Sequence, residues 1–373
     1  MIRVLHIVNS LAVGGVENIV MNCLRHFQND KEFQVMALVL GSPQGTIYEK
    51  ECAERGFDVT YAGYAPFRTK LAILQDIVNW FRCQHYIYKQ VRKIKPDIVH
   101  THGTYLLPYT MFVKLCTGVK VHVHKLTNDP YIYGKRIVFC ARVALNLLGV
   151  YPVCITNVQA QLAQKRYKMK NYALVRNGIE YNRFIQGDRK KVRKSLEIAD
   201  STFVIGCVAN FFAKKNHQFL VQLFNEYAKQ FPNSLLVLVG DGIEHDNIKN
   251  LVFELGIDNK CLFLGIRNDV GQLYSAMDFF MLVSFFEGAP STVLEAQYSG
   301  VRCVVSSSIP ADVVVTNNVT RVSLDAPRET WFAAMKDEIP HDSPKGTFED
   351  FSIERMCEDM KSLYKAQLNK KCA

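Results

Sequence analysis

The sequence predicts an α/β protein of two similar units, each a parallel sheet covered by helices. Three observations carry that expectation. Short apolar runs alternate with stretches of helical periodicity along nearly the whole chain, and such alternation implies parallel strands joined by right-handed crossovers. The alternation pauses over Gly187 to Asp200, which is charged and poor in apolar periodicity, and then resumes. A chain of 373 residues is also too long for one ordinary core and suits two. The units are placed at 1–186 and 187–350, with 351–373 as a terminal helix packing back on the first unit.

Strand 2–8 is an apolar run of the kind buried on both faces of a sheet. Helix 16–27, strand 33–39, helix 46–56 and strand 58–61 follow it. Helix 70–94 interleaves Trp80, Phe81, Tyr86 and Tyr88 with Arg82, Lys89, Arg92 and Lys93. That pattern suits an amphipathic helix packed on the sheet, and also a helix lying on a membrane surface. Strands 97–101 and 119–124 flank helix 106–117 and end in His100, His102, His122 and His124. Alternate residues of one strand share a face. A metal centre is disfavoured because no carboxylate or thiolate accompanies the imidazoles at ligand spacing. Helix 135–148, strand 151–156, helix 158–167 and strand 172–176 complete the unit, and Asn177-Gly178 suits a turn with positive φ.

The second unit runs through strand 203–208, helix 215–229, strand 234–239, helix 244–256, strand 260–264 and helix 269–276. Strand 278–284, a helix beginning near Pro290, strand 301–306 and shorter elements lead to helix 352–369.

Ligands of such sheets bind beyond the carboxyl ends of the strands, so the loops there are the candidate sites. Gly14-Gly15 follows the first strand and leads into a helix N-terminus, where a backbone can approach a ligand closely. After strand 203–208, Lys215 offers a point charge to a diphosphate. After strand 278–284 comes a loop, then Pro290 at the first helical position, with the amides of Ser291, Thr292 and Val293 at the positive end of the helix. Glu287 and Glu295 have seven residues between them, close enough for both to reach one ligand whose phosphates rest on that terminus. Phosphate held by amides and hydroxyls held by carboxylates are what a nucleotide sugar requires. The alternative is an ordinary strand–loop–helix in which Glu295 is a solvated helix residue.

The run from Ser284 to Gly300, Ser-Phe-Phe-Glu-Gly-Ala-Pro-Ser-Thr-Val-Leu-Glu-Ala-Gln-Tyr-Ser-Gly, resembles the donor-binding motif of the retaining glycosyltransferases of family 4. The resemblance implies an α/β protein of GT-B fold, two Rossmann-like domains with parallel sheets facing across a cleft. It implies that Glu287, with Gly288 and Ala289, grips the donor sugar, that Glu295 holds the ribose, and that Ser291, Thr292 and Val293 hold the diphosphate with Lys215. Gly14-Gly15 with Glu17 resembles the family loop that closes over diphosphate and acceptor, and Asn177 the signature that borders the donor cleft. Gly265-Ile266-Arg267 resembles the segment that reads the base and approaches the phosphates. His124 is expected to orient the sugar, with His122 second, and His102 to line the acceptor side. Asn210 stands where the family usually carries an arginine, so one of two expected cations is missing, and Lys214 or Arg267 is its replacement. The catalytic set is therefore His124, Glu287 and Lys215, with no metal and no cofactor beyond the sugar nucleotide.

Implied in turn are a nucleoside diphosphate sugar donor, most of all a UDP-sugar, and a saccharide or polyprenyl-linked acceptor, as in bacterial capsule and exopolysaccharide transferases. A nucleotide-sugar epimerase of the same fold, and a non-catalytic binding protein that kept it, are the alternatives. Residues 1–186 hold 24 Lys and Arg against 11 Asp and Glu, and residues 187–373 hold 21 against 24. A basic first half suits an anionic partner, and an anionic membrane surface is favoured over nucleic acid, for which no recognition motif is present. The 11 cysteines show no Cys-x-x-Cys pair and read as reduced, buried thiols. The chain opens on a strand-like run and has no apolar stretch of membrane-spanning length. A cytoplasmic protein is expected, docked on the inner face of the membrane.

Overall fold

A computed structural model describes residues 1–12, 14–64, 72–184, 187–336, 338–343 and 345–370. The chain divides into two compact units, Met1–Gly178 with Ile353–Ala373, and Ile179–Ser352. Residue 186, where the sequence places the junction, lies outside the described residues.

The first unit contains β1 (Ile2–Val8), α1 (Gly15–Phe27), β2 (Phe33–Val39), α2 (Ile47–Arg55), β3 (Val59–Tyr61), α3 (Ala72–Ile94) and β4 (Ile98–His102). It continues with α4 (Leu107–Thr110), α5 (Val113–Thr117), β5 (Val121–Lys125), α6 (Lys135–Asn146), β6 (Val150–Cys154), α7 (Asn157–Tyr167) and β7 (Ala173–Leu174). Its seven strands pair in the order β3-β2-β1-β4-β5-β6-β7, all parallel. The helix expected over 106–117 is broken in two. Pro108 lies in the first turn of α4, where it starts a helix but donates no hydrogen bond, and Phe112 leaves helical geometry before α5. The C-terminal helix Ile353–Asn369 belongs to this unit, and Met356, Cys357, Met360 and Tyr364 enter its core beside Cys23 and Leu24 of α1. Lys361 of that helix pairs with Asp30 at 2.5 Å.

The second unit contains α8 (Arg189–Ser195), β8 (Phe203–Val208), α9 (His217–Gln230), β9 (Ser234–Val239), α10 (His245–Glu254) and β10 (Cys261–Gly265). Next come α11 (Val270–Leu273), β11 (Phe279–Leu282), α12 (Ser291–Tyr298), β12 (Arg302–Ser306), β13 (Val319–Val322) and α13 (Arg328–Met335). The sheet order is β10-β9-β8-β11-β12-β13, again all parallel. The charged stretch after Gly187 folds into α8, capped by the Asp188 side chain. Its Arg193 is fully buried and donates to the carbonyls of Ala199, Asp200, Thr202 and Ala276 and to the Asp278 carboxylate. A guanidinium with that many acceptors locks α8 onto the base of β11. Pro290 is the N-cap of α12, one position before the one expected from sequence, with φ −71° and ψ 112°.

Candidate functional site

Each sheet has the strand order of a doubly wound fold, in which successive connections run opposite ways from the central strand. Between β8 and β11 the loops that follow the two strands diverge, and this is where such sheets bind ligands. Lys215, in the turn after β8, and Glu287, in the loop after β11, meet at that point with Nζ and Oε1 2.6 Å apart. Both side chains are largely withdrawn from solvent, at 14% and 7% exposure. Ser284 donates its hydroxyl to the same Glu287 oxygen at 2.8 Å. The Ser284 carbonyl in turn accepts from the hydroxyls of Ser306 and Ser308 at 2.7 and 2.6 Å. Glu287 is thereby held from two sides, by a cation and by a serine whose own backbone is tied to the neighbouring strand.

Lys214 approaches the same carboxylate. Burial lowers its pKa and the nearby Glu287 charge opposes that shift, while its Nζ lies 5.9 Å from the centroid of the Phe286 ring. Arg267, the other substitute considered for the missing arginine, is committed to Asp269 by two hydrogen bonds of 2.8 and 2.6 Å, and its pKa is raised chiefly by that bonding. Of the two, Lys214 is the one whose charge interacts with Glu287. Asn210 lies in the loop leaving β8, where its carbonyl accepts from the Phe212 amide.

At the start of α12, Val293 donates its amide back to the Pro290 carbonyl at 3.2 Å. Of the three amides expected to face an anion, Ser291 and Thr292 are the two without a helical acceptor. Glu295 is buried rather than solvated, at 8% exposure, and accepts from the Tyr274 hydroxyl at 2.9 Å. Burial and then the Glu295 charge push the Tyr274 phenol well above its ordinary pKa, so it stays a donor. Gly288 is buried and Ala289 partly buried in the loop before α12. Gly265 ends β10 at φ 62°, its carbonyl accepting from Gly240; Ile266 beside it is 57% exposed. Gly240 and Gly242, at φ 134° and 158°, lie against the backbone of Ala209 and Phe211, where a Cβ would collide with a carbonyl oxygen.

In the first unit, strand register sorts the histidines. His6 pairs with His100, and His102 with Lys125, so these four lie on one face of the sheet. Thr101 pairs with His124, and with His122 they lie on the other. The Thr101 hydroxyl is 2.7 Å from His124 Nδ1 and 3.0 Å from His122 Nε2. One hydroxyl proton cannot serve both nitrogens, so at least one imidazole donates to Thr101. His124 is fully buried and its Nε2 has no partner. Burial, then His122, holds its pKa well below the ordinary value, so it is neutral at neutral pH.

On the opposite face His102 Nε2 is 2.9 Å from His6 Nδ1, and His100 Nδ1 is 2.6 Å from the Tyr364 hydroxyl. Nitrogens of His6, His100 and His102 lie within 4.8 Å of one another, the one group among the described residues that suits a metal ion. Lys125, buried without a hydrogen-bond partner and lowered by burial to about 8, shares that face. Its residual positive charge opposes a second cation there.

Gly14 caps α1 in an extended conformation, and the Glu17 carboxylate folds to within contact of where a Gly14 Cβ would stand, whereas Gly15 faces open space. Burial raises the Glu17 pKa. Asn177 and Gly178 do not adopt positive φ, contrary to the turn expected; Asn177 Oδ1 is buried without a partner, and the Gly178 carbonyl accepts from Asn22 at 3.3 Å. The sequence missed Tyr274, Thr101, His6 and Lys125. Only Lys125 carried a signal, being two residues beyond Val123 on a strand whose alternate residues are apolar.

Residues 188–346 match the family model described as glycosyl transferases group 1, and residues 13–183 match that of Glycosyltransferase Family 4. The chain is 26% identical over 384 residues to a putative glycosyltransferase, EpsF, of Bacillus subtilis, covering 98% of this chain and 95% of that one. It is 28% identical over 254 residues to the Escherichia coli UDP-Gal:alpha-D-GlcNAc-diphosphoundecaprenol alpha-1,3-galactosyltransferase, covering 62% and 63%. Among solved structures it resembles Anabaena Alr3699/HepE in complex with UDP and glucose, with TM-score 0.76, 15% identity and coverage of 98% and 100%. Sucrose-phosphate synthase from Thermosynechococcus elongatus superposes with TM-score 0.77 at 14% identity, covering 99% and 100%. The fold is GT-B, as the sequence predicted.

Proposed function

Because the chain belongs to the family 4 glycosyltransferases, we propose that it is a retaining enzyme that moves a sugar from a UDP-sugar to a glycan or polyprenyl-linked saccharide in bacterial surface polysaccharide synthesis. The observation that carries this reading is the buried Lys215–Glu287 pair at the β8/β11 switch point, beside the free first-turn amides of α12. On donor binding, Lys215, Lys214 and the Ser291 and Thr292 amides stabilise the charge that grows on the departing diphosphate. Glu287 accepts hydroxyls of the sugar and Glu295 those of the ribose. No residue is assigned as a base: the leaving phosphate takes the acceptor proton on the same face as attack, so the anomeric configuration is kept. The positive charge comes from the lysines and the helix terminus, and no metal or cofactor is invoked.

The UDP assignment is supported by the solved relative that holds UDP and glucose and by the galactosyltransferase named for UDP-Gal. The polysaccharide assignment is supported by the O-antigen biosynthesis glycosyltransferase WclY of Escherichia coli, 28% identical over 137 residues. Neither the epimerase nor the binding-protein alternative gains support from these relatives.

A membrane-surface location belongs to the same proposal. No described helix is long and apolar enough to cross a membrane. On α3, Ile77 and Phe81 are 50% and 63% exposed beside exposed Arg82, Lys89, Arg92 and Lys93, a composition suited to an anionic interface.

The test is nucleotide binding followed by product analysis. UDP at about 100 times its Kd should raise the stability of the protein by about 2.7 kcal/mol, and Glu295→Ala should remove most of that rise. A product whose anomeric configuration is inverted relative to the donor would defeat the retaining mechanism, and absence of any nucleotide-dependent stabilisation would defeat the donor site.

A further inference from the structure

We infer that the groove between the start of α9 and the outer side of α10 is a saccharide subsite, which receives sugar units of the acceptor. The inference rests on the donor reading above. The groove is a cavity of about 490 Å³, within the range of roughly 300–1,000 Å³ usual for small-ligand sites. Its walls combine two kinds of group. Phe212 and Phe285 present rings that are 42% and 55% exposed. Opposite chemistry comes from Asn216, Glu244, Asn247 and Glu254.

A pyranose ring needs both kinds. Its C–H face stacks on an aromatic ring, and its hydroxyls bond to planar amides and carboxylates that accept and donate at fixed angles. Part of this surface is already organised, since Asn247 donates to Glu244 at 3.0 Å. His217 lines the same groove, 97% withdrawn from solvent at 3% exposure, and its Nδ1 has no partner. Its ring is stacked on Phe211 at 4.1 Å and 6°, so its orientation is set before any ligand arrives.

Charge decides what kind of ligand fits. The lining contains two glutamates and neither a lysine nor an arginine. Such a wall repels phosphate and other anions, which separates this groove from the lysine-rich diphosphate site. Of the ligands that remain, a neutral polyol is the one whose C–H face and hydroxyls use both the rings and the polar groups of the lining. Position ties the groove to the reaction. Phe212 accepts from the Lys215 amide at 2.9 Å, and Phe285 donates to the Lys214 carbonyl at 2.8 Å. Both rings therefore stand on the loops that carry Lys215 and Glu287.

The test is saturation-transfer NMR on the full chain, with maltotetraose, cellotetraose and chitotetraose as probes, in the presence and absence of UDP. At least one tetrasaccharide should bind. Phe285→Ala should weaken it about tenfold, as should the double variant Asn247→Ala with Glu254→Ala, whose side chains are exposed helix positions and dispensable for folding. In both variants the stabilisation by UDP should persist. Absence of binding by all three probes, or wild-type affinity in both variants, overturns the inference. Failure of UDP to stabilise the wild-type protein instead overturns the donor reading, so the two failures are distinguished.

Discussion

At the scale of single residues, the site depends on groups whose partners lie far away in sequence. Lys215→Ala removes the cation that faces the diphosphate, and transfer should fall about 10²–10³-fold. It also leaves Glu287 buried with Ser284 as its remaining partner, so the urea midpoint should report a loss of about 3 kcal/mol. A normal turnover in this variant would remove Lys215 from the mechanism. Thr101→Val deletes the hydroxyl shared by His122 and His124 and should cost about 1–3 kcal/mol for the imidazole left unsatisfied, measurable in the same titration. The Ser284 to Gly300 motif was legible because its members sit within one strand–loop–helix, where spacing alone fixes who meets whom. Tyr274 and Ser306 were not, because their contacts with Glu295 and Ser284 depend on how neighbouring strands and helices register. The same holds for Tyr364, which reaches His100 across 264 residues of sequence.

At the scale of elements, most strands were legible, because a buried parallel strand is an uninterrupted apolar run. The break between α4 and α5 was overlooked because it falls at Phe112, beyond the first-turn Pro108 and at no helix-breaking residue, and the helix α8 was hidden because its stabilising contacts are those of an arginine rather than of an apolar face. The β9–α10 turn makes a further prediction. Gly240→Ala puts a Cβ into the Ala209 carbonyl at a φ of 134°, so it should cost 2 kcal/mol or more, of the order of about 1–3 for backbone strain with overpacking added, and should abolish stabilisation by UDP. Strands β1, β4 and β5 carry five buried histidines, of which His6 and His122 are held near 3 by burial. Their folded pKa values lie below the unfolded value of about 6.5, so the unfolded chain binds more protons between those limits. Stability should therefore be full above about pH 6.5 and fall as pH drops toward 3, by up to about 1.4 kcal/mol per pH unit for each histidine involved. Urea midpoints across that interval check it; a flat profile would mean that these imidazoles are solvated.

At the scale of the molecule, composition revealed the contrast between a basic first half and a nearly neutral second half, and sequence revealed two repeated α/β units. Binding to vesicles of anionic lipid should follow that contrast, strong at low salt and about tenfold or more weaker at high salt as charges are screened, with sedimentation as the readout. Equal binding to neutral vesicles would point to the apolar residues of α3 alone. The other large-scale feature is that the first unit recruits Ile353–Asn369 into its core. During synthesis on the ribosome, the first 178 residues emerge without that helix. At about 5–20 residues per second, some tens of seconds pass before Met356, Met360 and Tyr364 arrive to cover Leu24 and His100. Until that helix arrives, the apolar residues of α1 that it covers have no partner in the nascent polypeptide.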